Sequence, residues 1–126
     1  MDTSALQAWF RTPLGRVVAD AERQTVARLL NGAAPGFVVQ LGGLGDTAPL
    51  PLPGAVRQWL MERDPSVAPD VMAWHDDVPL RSGAVDTLVI AHQLEFEGDP
   101  QRILREAGLV LAPEGHLIIL AFNPLS

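Results

Sequence analysis

Val85-Asp86-Thr87-Leu88-Val89-Ile90-Ala91 is the stretch that decides the fold class. Past Val85-Asp86, only Thr87 interrupts a run of aliphatic side chains. That is the pattern of a strand buried on both faces, the kind found inside a parallel sheet. On its C-terminal side, Asp99-Pro100 makes a helix start, with Asp as cap and Pro in the first turn. Ile103, Leu104, Ala107, Val110 and Leu111 then supply one apolar helical face, and Ala112-Pro113-Glu114-Gly115 stops it. His116 to Phe122 is a second apolar strand, closed by Asn123-Pro124.

On the N-terminal side, Phe37-Val38-Val39-Gln40-Leu41 reads as a short buried strand running into Gly42-Gly43-Leu44-Gly45-Asp46. Between residues 48 and 54, prolines at alternate positions forbid a helix interior. Val56 to Met61 is a strand or a short helix; periodicity does not decide. Pro65 to Pro69 is a turn region. Val71-Met72-Ala73-Trp74 is expected as a further short strand, ending in His75-Asp76-Asp77. Residues 3–11 form a helical lead-in with Leu6, Trp9 and Phe10 as an apolar patch. A second helix starts at Thr12-Pro13, carries Leu14, Val17, Val18, Ala21, Leu29 and Leu30 as its apolar positions, and ends near Gly32. Strands alternating with helices argue for an α/β fold with a parallel sheet.

Composition narrows the function classes. The chain has 126 residues, enough for one domain, and 48% are hydrophobic. With a mean hydropathy of +0.16 it is no disordered tail. No apolar run approaches the ~18 residues of a membrane span, and Met1-Asp2-Thr3-Ser4 lacks the basic start of a signal peptide. A cytoplasmic protein is expected. The net charge is −6, and all nine basic residues are scattered arginines. That argues against a nucleic-acid partner and an anionic membrane surface. The absence of Cys excludes disulfides, thiolate metal sites and a Cys nucleophile. His75, His92 and His116 lie far apart with no helical ligand spacing, so no metal is expected.

From Asp76-Asp77-Val78-Pro79-Leu80 through Ser82-Gly83-Ala84-Val85-Asp86, His92-Gln93-Leu94-Glu95-Phe96, Asp99-Pro100, Pro113-Glu114-Gly115 and Phe122-Asn123-Pro124, the order and spacing resemble a known family. The chain looks like the second half of a class I S-adenosylmethionine-dependent methyltransferase, methyltransferase domain type 11. Trp9-Phe10-Arg11-Thr12-Pro13-Leu14-Gly15-Arg16 is similar to the leader of a bacterial subgroup, so the likeness spans residues 9–124. It implies a single domain over residues 1–126, with a helical lead-in over 1–34 and a core over 36–124. That core would be a Rossmann-like three-layer sandwich of about five mostly parallel strands, an incomplete version of the seven-stranded family sheet.

The resemblance also implies a cofactor, S-adenosylmethionine, bound beyond the C-terminal ends of the strands. Gly42, Gly43 and Gly45 would form the turn that lets backbone approach it. Glu62, with Asp64 as the alternative, lies about 20 residues on, where the family keeps its ribose-binding acid. Asp76 would meet the adenine amino group, with Asp77 or Val78 supplying backbone. Ala91 and His92 would line the pocket floor. His92 and Glu95 are candidates to serve a small-molecule acceptor as base or orienter; no dedicated catalytic base is named. The chain departs from the family where Gln40 takes an acidic position, where Leu44 and Asp46 take glycine positions, and where it stops soon after Phe122. Without a later strand beside it, His116–Phe122 would be an exposed apolar edge. Either the chain is truncated, or a second copy or another polypeptide covers that edge. The alternative function is accordingly a non-catalytic interaction subunit.

Overall fold

The computed structural model describes residues 3–46, 55–73, 78–96 and 99–122. Along the chain run α1 (Thr3–Phe10), α2 (Pro13–Leu29), β1 (Gly36–Leu41), β2 (Ala55–Met61), β3 (Val85–Ala91), α3 (Pro100–Val110) and β4 (Leu111–Leu120). The four strands form one sheet in the order β2-β1-β3-β4, and every pairing is parallel. The buried aliphatic run resolves as expected: β3 lies inside the sheet and all its residues but Asp86 are buried. Residues 55–61, open between strand and helix in the sequence, form β2 and pair with β1 from Phe37↔Arg57 to Leu41↔Met61.

Two expectations need correction. About five strands were expected; the described residues give four. Val71 touches β2 through a single parallel bridge to Met61, and Met72 and Ala73 do not extend it. The ladder is cut short because Asp70, not a strand residue, satisfies this edge of β2: its carboxylate accepts from Leu60 N at 2.8 Å. The second correction concerns α2. Leu14, Val17 and Leu29 are about two-thirds exposed; the buried positions are Gly15, Ala19 and Val26, with Leu30 just beyond. The helix is rolled because α1 packs against its first turn. A Cβ on Gly15 would lie 2.0 Å from Trp9 O and 2.6 Å from Phe10 Cα, so only glycine allows that approach.

Three clusters build the layers. Val39, Leu41, Leu88 and Ile90 face Ile103, Ala107 and Val110 of α3. Val38 and Val89 face Val26 and Leu30 of α2 on the other side. Leu6 and Phe10 of α1 join Ala19, Leu44 and Ala91 over the strand ends. Leu104, assigned to the apolar face of α3, is 38% exposed. In β4, residues 112–115 bulge out of register, and pairing with β3 resumes at Thr87↔His116. No helix among the described residues is long and apolar enough to cross a membrane.

Candidate functional site

Among the described residues, the polar ones that the fold buries are Gln7, Gln40, Glu62, Thr87, His92 and Gln93. Thr87 satisfies Pro35 O, at the entry to β1. The other five gather at the C-terminal ends of β1, β2 and β3, where a parallel sheet opens toward solvent and α1 closes over it.

The glycine turn follows β1 directly. Gly42 N donates to Met61 O at 2.9 Å, which continues the ladder one step. Gly42 (φ +97°) and Gly45 (φ +64°) take left-handed conformations that other residues avoid. The turn is also crowded. A Cβ on Gly42 would lie 2.2 Å from Gln93 Nε2, one on Gly43 3.0 Å from Val67, and one on Gly45 2.8 Å from Phe10 Cβ. Leu44 points away from the turn into the core below α1. Gln40 Nε2 donates to Gly42 O at 2.8 Å and Gln93 Nε2 to Ala91 O at 2.8 Å. The side-chain oxygens of both are buried without a hydrogen-bond partner. Asp46 faces outward, paired with Arg11 at 2.9 Å and Arg16 at 3.1 Å. The hydrogen bonds from those two guanidiniums hold its carboxyl below the usual carboxylate range.

Glu62 follows the last residue of β2 and is fully buried. One carboxylate oxygen accepts from Arg63 N and from Asp64 N at 3.3 Å. The other faces the glycine turn, accepting from Gly43 N at 3.4 Å and from Gln7 Nε2 at 3.4 Å. Asp64 instead caps the short turn over residues 65–67 through Ser66 N, at 2.9 Å. Between the two acids offered by the sequence, only Glu62 faces the glycines.

His92 takes φ +53°, and its ring is wholly buried. Nε2 lies 2.7 Å from Glu22 Oε2 and Nδ1 2.9 Å from Glu95 Oε2. An ionised carboxylate only accepts, so both contacts are satisfied together only by the imidazolium. Burial is the largest single influence and pushes His92 down. The bonds to Glu22 and Glu95 outweigh it, and the net direction is up. Phe122 stacks on the ring at 4.1 Å between centroids, and its N–H donates to Glu95 Oε2 at 3.0 Å. The Phe10 ring lies 5.4 Å away, tilted by 50°.

The structure thus brings Gly42, Gly43, Gly45, Glu62, Ala91 and His92 to one edge. Val78 is buried in the core beside α3. Asp76 and Asp77, like Trp74 and the proline run, lie outside the described residues. Sequence reasoning missed Gln7 and Glu22. A signal for each was present: Gln7 shares a helix face with Phe10 at i,i+3, and Glu22 stands on the Gly15-Ala19-Val26 stripe of α2. A cleft lined by Ala27, Leu30, Gly32 and Pro35 lies away from this edge, where α2 hands over to β1.

Comparison with known proteins bears on the family and the fold. A family model described as a methyltransferase domain matches residues 56–119, just over half of the chain. The uncharacterized protein YafS of Escherichia coli K12 is 45% identical over 49 residues, which cover 39% of this chain and 20% of YafS. A crystal structure from Thermotoga maritima, described as a SAM-dependent methyltransferase and possible histamine N-methyltransferase, superimposes with a TM-score of 0.53 at 23% identity. That likeness covers 82% of this chain and 57% of the other, and it bears on the fold. The chain therefore spans a fifth of one relative's length and little more than half of the other's.

Proposed function

The chain belongs to the methyltransferase-domain family, and on that premise we propose that it binds S-adenosylmethionine at the C-terminal edge of the sheet and serves methyl transfer to a small-molecule acceptor. The observation that carries this reading is the convergence of Glu62 with Gly43. Two adjacent parallel strands end side by side and deliver a buried carboxylate and a glycine turn to the same point. A carboxylate at that place suits the vicinal hydroxyls of a ribose, and the N–H groups of Gly43 and Gly45 suit an anionic or carbonyl oxygen.

The residues present fit the cofactor in kind. Glu62 would hold the ribose, the turn from Gly42 to Gly45 the adjoining polar groups, and Ala91 with His92 would close the floor. The buried, unpartnered oxygens of Gln40 and Gln93 offer acceptors beside the same turn. When bound, S-adenosylmethionine supplies an electrophilic methyl group on a sulfonium. The chain's own part is to orient and to keep water out.

Isothermal titration with S-adenosylmethionine and with S-adenosylhomocysteine tests the reading. Saturable one-site binding is expected, weakened roughly 10- to 100-fold in Glu62→Gln, the loss of a charged hydrogen-bond acceptor. No heat at millimolar ligand from the folded wild-type protein or from any folded variant of it would refute it. A second reading, an interaction subunit, is favoured by β4. That strand pairs with β3 on one side only among the described residues, and Leu117 and Ile119 are 40% and 42% exposed.

A further inference from the structure

The polar groups offered by the glycine turn and Glu62 are not left open. Gln7 lies wholly buried on α1, and its carboxamide reaches across to them. Oε1 accepts from Gly45 N at 2.6 Å; Nε2 donates to Gly43 O at 2.9 Å and to Glu62 Oε1 at 3.4 Å. One neutral amide thereby meets a backbone donor, a backbone acceptor and the carboxylate at the end of β2. Leu6 and Phe10 seat the helix on either side, and a Cβ on Gly45 would run into Phe10. Outside, Arg11 fastens the end of α1 to Asp46 at 2.9 Å and to Ser66 Oγ at 2.8 Å.

We propose that Gln7 stands in for the ligand: α1 is an internal plug whose carboxamide occupies the atoms a ribose-bearing molecule needs, so docking of α1 and binding of that molecule exclude each other. The inference rests on the cofactor reading above and adds to it a competing residue within the chain. Gly45 N has one proton, already given at 2.6 Å. Gln7 Nε2 lies 3.4 Å from Glu62 Oε1 and shares that oxygen with Gly43 N, also at 3.4 Å. Displacing α1 also uncovers Leu6 and Phe10, so apparent affinity falls by the fraction of molecules that are closed.

S-adenosylhomocysteine is titrated into wild-type, Gln7→Ala and Arg11→Ala proteins, each confirmed folded by circular dichroism. Amide hydrogen exchange of residues 3–10 is followed with and without the ligand. Arg11→Ala loosens the outer fastening and leaves every buried group in place, so the test survives if Gln7→Ala fails to fold. Competition predicts a Kd roughly tenfold lower for Gln7→Ala, a smaller gain for Arg11→Ala, and faster exchange of residues 3–10 in the complex. Binding by Gln7→Ala where wild-type shows none supports the same conclusion. Unchanged or weaker binding in the folded variants, or slower exchange of residues 3–10 in the complex, overturns the plug and leaves the cofactor reading standing. Binding by none of the folded proteins overturns both.

Discussion

At the scale of single residues, His92 is where sequence and physics diverge most. In the sequence it is one of three isolated histidines. In the fold it is held between Glu22 and Glu95, with Phe122 and Phe10 against its ring. Its proton is bound more tightly in the folded chain than in the unfolded one. The stabilisation is therefore complete below its unfolded value near 6.5 and is lost as pH rises through the higher folded value. Thermal unfolding followed from pH 6 to 9 should show a declining midpoint, and His92→Gln should flatten that decline. An equal slope in wild-type and variant would show that another group titrates. Glu95, three residues on, was already named beside His92; Glu22 was not readable beforehand, because it stands on α2 and only the fold brings it to the ring.

Helices and strands were the most legible level. Thr12-Pro13, Asp99-Pro100 and the aliphatic run of β3 each mark their element through local chemistry, and all three resolve where they were expected. Thr12 does more than cap α2. Its Oγ accepts from Gly15 N at 3.1 Å and donates to Trp9 O at 2.6 Å, tying the last turn of α1 to the first of α2. Thr12→Ala should cost about 1 kcal/mol, the usual loss for a helix cap, read from denaturant midpoints. Thr12→Ser should restore most of it. What stayed hidden was the orientation of α2, because Gly15 lets α1 approach so closely that Leu14 and Val17 turn outward. The candidate site was legible in half. Glycines and an acid at family spacing pointed to the turn and Glu62. Gln7 acts from another element, and Asp76 and Asp77 lie outside the described residues.

For the molecule as a whole, the sheet has an asymmetric finish. Among the described residues, β2 carries the Val71 bridge at one end, while β4 pairs on one side only at the other, with Leu117 and Ile119 40% and 42% exposed. On the second reading, with a second copy of the chain as the partner at β4, light scattering should show concentration-dependent association, abolished in Ile119→Lys. A monomer at all concentrations would remove it. The topology has a temporal side as well. β1 can pair with β2 early, but its other neighbour is β3: Val38 meets Thr87 and Gln40 meets Val89. During synthesis β1 therefore stays open on one flank, with Val38, Val39 and Leu41 partly uncovered, until the chain through Ala91 has emerged. Pairings this distant in sequence make for slow closure, and the interval is one in which a chaperone or a neighbouring nascent chain can reach a strand destined for the inside of the sheet.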